Sequence, residues 1–169
     1  MVENLNDLQI FVKRIKMEYG GRIAYRYLAD DSLIDKTFAE LAKDIYAVAS
    51  WLIKNGYSGK HIAIIGSTSY YWVTAFLGIL CSANIAVPVD KMLSSKEMLN
   101  ILEMGDVDTV FVSEEFAHLS EAIRQNNSRI TRVICFADEC FDEILRTEEV
   151  SLPNIDPEAM AEILFTSGT

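Results

Sequence analysis

A chain of 169 residues, half of them hydrophobic and 24% charged, carries enough apolar material for one sizeable core and too much to stay disordered. Its formal net charge of −10 is concentrated: residues 1–100 hold eleven Lys or Arg against ten Asp or Glu, residues 101–169 four against fifteen. An acidic surface of that kind repels nucleic-acid phosphates and anionic lipid, which argues against both as partners and for a well-solvated face.

The chain opens with Leu8, Phe11, Val12 and Ile15 at helical spacing, a short amphipathic helix. Ile23, Tyr25 and Tyr27 then alternate with smaller or charged residues, and Asp30, Asp31 and Ser32 form a turn into a second short strand. Thr37 and Glu40 make a capping box ahead of a helix whose apolar face runs from Phe38 to Ile53, and Asn55 and Gly56 close it. A buried strand, "HIAIIG", leads through a Ser/Thr-rich turn into a buried helix, "SYYWVTAFLGILC". "IAVPVD" is a strand in which Pro88 lacks an amide donor and therefore favours an edge or a strand end. Ser94 and Glu97 cap the next helix, which stops at Gly105, and "DTVFVS" is a strand. "EEFAHLSEAIRQNN" is an amphipathic helix with two acids in its first turn, "RVICF" a strand and "ADECFDEILRT" a short helix. Prolines and acids over residues 151–159 mark a linker, and "AEILF" is the last strand. Strand alternates with helix throughout. The fold class is α/β, a mostly parallel sheet with helices on both faces, preceded by a small β-hairpin.

Residues 62–89 contain no Asp, Glu, Lys or Arg, long enough for a bilayer span. Small and polar residues at 66–69 and 82–84 divide that stretch into strand, helix and strand, each of globular length, as in a buried parallel sheet. The N-terminus lacks a signal peptide's basic start and cleavage site. Cys81, Cys135 and Cys140 fit no zinc or redox spacing, and reduced thiols in a cytoplasmic protein account for them.

Four places invite a chemical reading. The terminal "TSGT" follows a strand with a glycine and hydroxyls, and successive amides there form an anion-binding nest suited to phosphate. "AIIGSTSYY" has the strand, glycine and helix start of a dinucleotide site but not its second and third glycines, so a plain turn capped by Ser67 or Ser69 is the better reading. Two histidines among many serines, His61 and His118, fix no catalytic triad. Tyr70, Tyr71 and Trp72 belong to the core and its rim, since no basic residues interleave with them.

The order of these features resembles the N-terminal portion of the adenylate-forming (AMP-dependent synthetase/ligase) superfamily. "IAYRYL", "KTFAELAKDIYAVASWLIKNGYSGKHIAIIGSTSYYW" and "IAVPVD" are similar to that family's opening hairpin, long helix, strand, helix and Val-Pro-Leu-Asp-like segment. "ILFTSGT" resembles the start of its phosphate loop, while "STSYYW" and "CSANIA", far upstream, depart from the family's usual pattern. The resemblance implies an ATP-dependent carboxylate–CoA ligase, most like a long-chain fatty-acid CoA ligase. Such an enzyme converts fatty acid, ATP and CoA to acyl-CoA, AMP and pyrophosphate through an acyl-adenylate. An amino-acid or other carboxylate adenylation domain is the alternative within the superfamily. A non-catalytic α/β binding module ending at Thr169 is the alternative of another class.

On this resemblance Thr166, Ser167, Gly168 and Thr169 bind the phosphates of ATP, and residues 1–169 are a partial N-terminal AMP-binding domain cut within that loop. The resemblance also implies ATP, Mg2+ and CoA for the parent enzyme and none bound to the fragment. No catalytic or metal-binding residue is expected within the chain. The fragment is expected to be inactive alone, and a truncated sheet with an unpaired edge to self-associate.

Overall fold

The computed structural model describes residues 7–29 and 31–166. Helix α1 (Leu8–Tyr19) starts at Asp7, whose carboxylate accepts the Ile10 amide, and buries Val12. Strands β1 (Ile23–Ala29) and β2 (Ser32–Thr37) pair antiparallel as a separate hairpin. The Thr37–Glu40 capping box opens α2 (Phe38–Lys54), and Gly56 takes the positive φ of 79° that follows it.

The remaining elements alternate: β3 (His61–Ile65), α3 (Tyr70–Cys81), β4 (Ile85–Val89), α4 (Ser95–Met104), β5 (Thr109–Val112), a 3-10 turn (Glu114–Leu119), α5 (Ser120–Asn126), β6 (Arg132–Cys135) and α6 (Glu139–Leu145). The four strands form one parallel sheet in the order β4-β3-β5-β6. This is the α/β fold that the strand–helix alternation predicts.

Period-two alternation sends neighbouring residues of a strand to opposite faces. Ile62, Ile64, Ala86, Phe111 and Ile134 pack with Val48 and Leu52 of α2, Ile79 of α3, and Phe141 and Ile144 of α6. Ala63, Ile65, Val87, Val110 and Val112 pack on the other face with Met98 and Leu102 of α4 and Ile123 of α5. Nearly all of these side chains are wholly buried, each of those larger than alanine contributing about 1.5–3 kcal/mol from burial. A third cluster joins α1, α2 and the hairpin around Val12, Ile45 and Tyr70. Tyr70 donates a 2.6 Å hydrogen bond to Asp44 inside it, and burial, then that carboxylate, pushes the phenol pKa far upward.

Two expectations change. The segment 114–127 begins as a 3-10 turn, because Ser113 does not cap it: its hydroxyl donates instead to Glu115 (3.3 Å), and the first turn tightens. The final strand shrinks to a single bridge, Ala86 with Glu162, lying parallel on the outer edge of β4. The Ala86 amide donates to the Ala161 carbonyl, and the Ile163 amide to the Ala86 carbonyl, both at 2.9 Å. Two residues on, Pro88 turns the same way and has no N–H for the Ile163 carbonyl, so the ladder stops there.

Two predictions test this packing. Alanine at Gly78 places a Cβ 2.7 Å from Val48 and 3.1 Å from the Ile45 carbonyl, where α3 crosses α2. Overpacking of about 1–3 kcal/mol outweighs a helix-propensity gain of up to about 1 kcal/mol, so Gly78→Ala lowers the urea midpoint. Pro88→Ala restores the missing donor, and hydrogen exchange then shows a protected new amide at residue 88 and slower exchange across residues 161–166.

Candidate functional site

In an open parallel sheet, ligands sit outside the carboxyl ends of the strands, where the winding reverses. Here that point lies between β3 and β5: the chain leaves β3 towards β4 and leaves β5 in the opposite direction, towards β6. The helices after β3 and β4 accordingly pack on opposite faces. The turn after β3, residues 66–69, meets the turn after β5, residues 113–115, across that point.

Contact between the two turns is close. Gly66 has φ +154°, and a Cβ there would lie 2.6 Å from the Ser113 hydroxyl, so only glycine fits. Ser67 donates twice to one oxygen of Glu115, from its amide (3.0 Å) and its hydroxyl (2.8 Å). Lys91, just past β4, donates from Nζ to the Ser67 hydroxyl at 2.9 Å. The Ser67 hydroxyl and amide, then Ser113 and the charge of Lys91, hold the Glu115 carboxyl below the usual carboxylate range. Ser69 caps α3, accepting the Trp72 amide at 3.2 Å, which is the structural role expected of this glycine-poor turn. A carboxylate and two hydroxyls thus join the two turns, with the exposed Lys91 ammonium on the Ser67 hydroxyl.

Among the described residues, no nucleophile–base pair accompanies them. His61 lies at the opposite end of β3, its Nδ1 2.6 Å from the Gly105 carbonyl, and His118 Nδ1 sits 3.0 Å from the Glu115 carbonyl. Among the described residues, neither histidine is hydrogen-bonded to a serine. Tyr70 is buried with Tyr71 and Trp72 partly so, and they stack among themselves and with Tyr27, Phe76 and Phe141 as core and rim. Among the described residues, no three His, Cys, Asp or Glu side chains come together to hold a metal. The cysteines are free: Cys81 and Cys135 buried, Cys140 exposed, with burial pushing the Cys81 thiol up to about 12. No helix among the described residues is long and apolar enough to cross a membrane.

Of the predicted phosphate loop, Thr166 is described and exposed, while Ser167, Gly168 and Thr169 lie outside the described residues. Residues 161–163 run along β4, and Phe165 folds inward, within 3.4 Å of where a Gly105 Cβ would lie. Among the described residues, no hydrogen bond joins Thr166 to the Ser67–Glu115–Lys91 cluster. That cluster has no signature in the sequence: its members are 24 and 48 residues apart, and only the crossing order of the strands unites them.

The AMP-binding enzyme family matches residues 12–169. The crotonobetaine/carnitine–CoA ligase of Salmonella typhimurium is 25% identical over 165 residues, covering 89% of the chain and 32% of the relative. A 3-[(3aS,4S,7aS)-7a-methyl-1,5-dioxo-octahydro-1H-inden-4-yl]propanoyl:CoA ligase of Mycobacterium tuberculosis is 28% identical, covering the whole chain and 36% of the relative. The chain thus spans about a third of the length of these curated relatives. Among solved structures, a long-chain-fatty-acid–CoA ligase from Archaeoglobus fulgidus superposes with a TM-score of 0.82 at 18% identity, over 96% of this chain and 35% of that one. The anthranilate CoA ligase AuaEII, in complex with anthranoyl-AMP, gives 0.81 at 21% identity, over 96% and 31%. At such identities these structures establish the fold.

The Glu115 contact has a pH signature. Because the folded-state pKa is depressed, the contact is fully made above the ordinary carboxylate range and is lost as pH falls through the lowered value. Amide exchange at Ser67, read by NMR, should be protected at neutral pH, and Glu115→Gln should reduce that protection while α3 and β3 remain protected.

Proposed function

The chain belongs to the AMP-binding enzyme family, and from that premise we propose that it supplies the amino-terminal third of an adenylate-forming carboxylate–CoA ligase. The match through residues 12–169 carries this reading, and the CoA ligases among its relatives support it. A fatty acid is the carboxylate that fits the sequence resemblance, with ATP and CoA as co-substrates. In the first step a carboxylate oxygen bonds to the α-phosphorus of ATP while the bond to the pyrophosphate oxygen breaks, leaving an acyl-adenylate. The CoA sulfur then bonds to the acyl carbon, and AMP departs. An in-line displacement asks the protein mainly to position the reactants and to neutralise charge.

Within this chain the terminal loop does the positioning. Thr166, Ser167, Gly168 and Thr169 offer hydroxyls and successive amides to the β- and γ-phosphates, the glycine letting the backbone approach closely. Mg2+ would add charge neutralisation at the phosphates of ATP, and on this reading no residue of this chain is assigned to hold it. Residues 1–169 form a partial AMP-binding domain with a linker over 151–159, in a cytoplasmic enzyme.

ATP–pyrophosphate exchange tests the proposal. The isolated 169-residue chain gives no exchange above blank. The full-length enzyme exchanges with fatty acids, and its Gly168→Val variant loses about 100-fold in kcat/KM, the scale of one lost oxyanion donor. Exchange driven by amino acids and not by fatty acids transfers the assignment to an amino-acid adenylation domain. Full-length protein inert with every carboxylate overturns it.

A further inference from the structure

The two edges of the parallel sheet are unequal. Residues 161–163 lie along β4, whereas among the described residues nothing pairs with the outer side of β6. The Phe136 amide donates to the Val112 carbonyl at 2.9 Å, so by strand alternation Arg132 and Ile134 face β5 while Val133 and Cys135 turn to the open side, the Cys135 carbonyl there accepting the Asp138 amide (3.2 Å). A groove of about 310 Å3 runs there between α5 and α6, walled by Trp51, Arg124, Arg132, Cys140, Glu143 and Ile144.

The charge at this edge reverses that of its surroundings. Residues 122–137 contain three arginines, 124, 129 and 132, and no acid, within a segment 101–169 that otherwise carries one basic residue and fifteen acids. Arg129 is committed to Asp106 (3.1 Å) and Asp108 (3.4 Å). Arg132 lies over the Trp51 ring, 5.2 Å from its centroid, and Arg124 stands 4.0 Å from Glu121, which leaves both guanidinium groups open to a partner's carboxylates. Two copies meeting β6 to β6 would bring this island against itself, which like charge opposes. An acidic strand meets neither obstacle.

We propose that the outer edge of β6 is a docking edge for an extended acidic polypeptide segment, which adds to the sheet as a fifth parallel-sheet strand or its antiparallel equivalent. Main-chain hydrogen bonds to the Val133 N–H and C=O and the Cys135 N–H supply the pairing, Arg124 and Arg132 take carboxylates flanking the strand, and the groove beside Trp51 receives an apolar side chain. Affinity then comes from the backbone and choice of partner from the arginines.

The test uses the 169-residue chain with Trp72→Phe, so that Trp51 is its one tryptophan. The probe is an acetylated, amidated heptapeptide of alternating Glu and Val, and the control has Lys in place of Glu. Saturable one-to-one quenching or enhancement of Trp51 by the Glu peptide, at least tenfold tighter than by the Lys peptide, is expected. Bound peptide should also slow alkylation of Cys140, the exposed thiol in the groove. N-methylation of alternate peptide amides, which keeps the charge and removes the pairing, should weaken binding about tenfold. Arg124→Glu with Arg132→Glu should invert the preference towards the Lys peptide, circular dichroism serving as the folding control. Should that variant fail to fold, the N-methylated peptide decides on the native chain. Equal binding of the N-methylated peptide, equal competition by inorganic polyphosphate against both peptides, no saturation by about 1 mM, or a dimer whose formation blocks Cys140 without peptide each overturn the proposal.

Discussion

Every other feature of this molecule depends on the burial of a four-stranded parallel sheet on both faces. Strands of four or five residues expose too little surface to hold together by hydrogen bonds alone, and their stability comes from the helices laid over them. The side chains show the requirement directly: Ile62, Ala63, Ile64 and Ile65 are each wholly buried, alternate members facing α3 and α4. Where α3 approaches α2 too closely for any side chain, Gly78 sits against Val48. The helices therefore cannot shift without opening voids or clashes, and the turns at the strand ends inherit that rigidity.

Rigidity at the sheet's ends is completed by polar groups that are buried but satisfied. At the amino end, Asp108 is almost buried and accepts from the His61 amide (3.2 Å), Lys60 (3.3 Å) and Arg129 (3.4 Å), binding the starts of β3, β5 and β6 together. Tyr57, Thr109 and Thr131 share a hydroxyl cluster beside it. Asn84 ties the turn before β4 to the Lys60 amide and the Tyr57 carbonyl. Among the described residues, no buried side-chain nitrogen or oxygen lacks a partner. Such a network costs little when complete and much when broken, so it specifies one arrangement of strands. The carboxyl end is built differently, from exposed groups: Ser67, Lys91 and Glu115 hold the turns while staying in water. Buried polar groups hold one end of the sheet and exposed ones the other.

The edges follow the same division. On β4 a single proline permits one bridge to residues 161–163 and then stops the ladder, freeing the chain to depart with Phe165 turned back onto the core. On β6 the backbone stays open and arginines stand beside it. One edge therefore delivers Thr166 to the surface, and the other stays unpaired among the described residues.

Much of this was legible in the residues themselves, for local reasons. Capping boxes at Thr37–Glu40 and Ser94–Glu97, the glycine after α2 and the alternation of β-branched runs with helical spacing depend on neighbours a few positions away, and each appears where it was expected. The match of the terminal segments to a phosphate-loop pattern also rests on contiguous residues. Tertiary structure alone decided three matters. That residues 161–163 make one bridge and not a strand depends on which side of β4 faces outward, which no local pattern encodes. Glu115 accepts Ser67 as well as Ser113 of its own helix start because the order β4-β3-β5-β6 sets two distant turns side by side. The arginine island lies on an open edge, and not inside the sheet, because the chain crosses from β5 to β6 last. Local preference is a property of short stretches of chain, whereas strand order is settled by which faces can be buried together, a property of the whole chain at once.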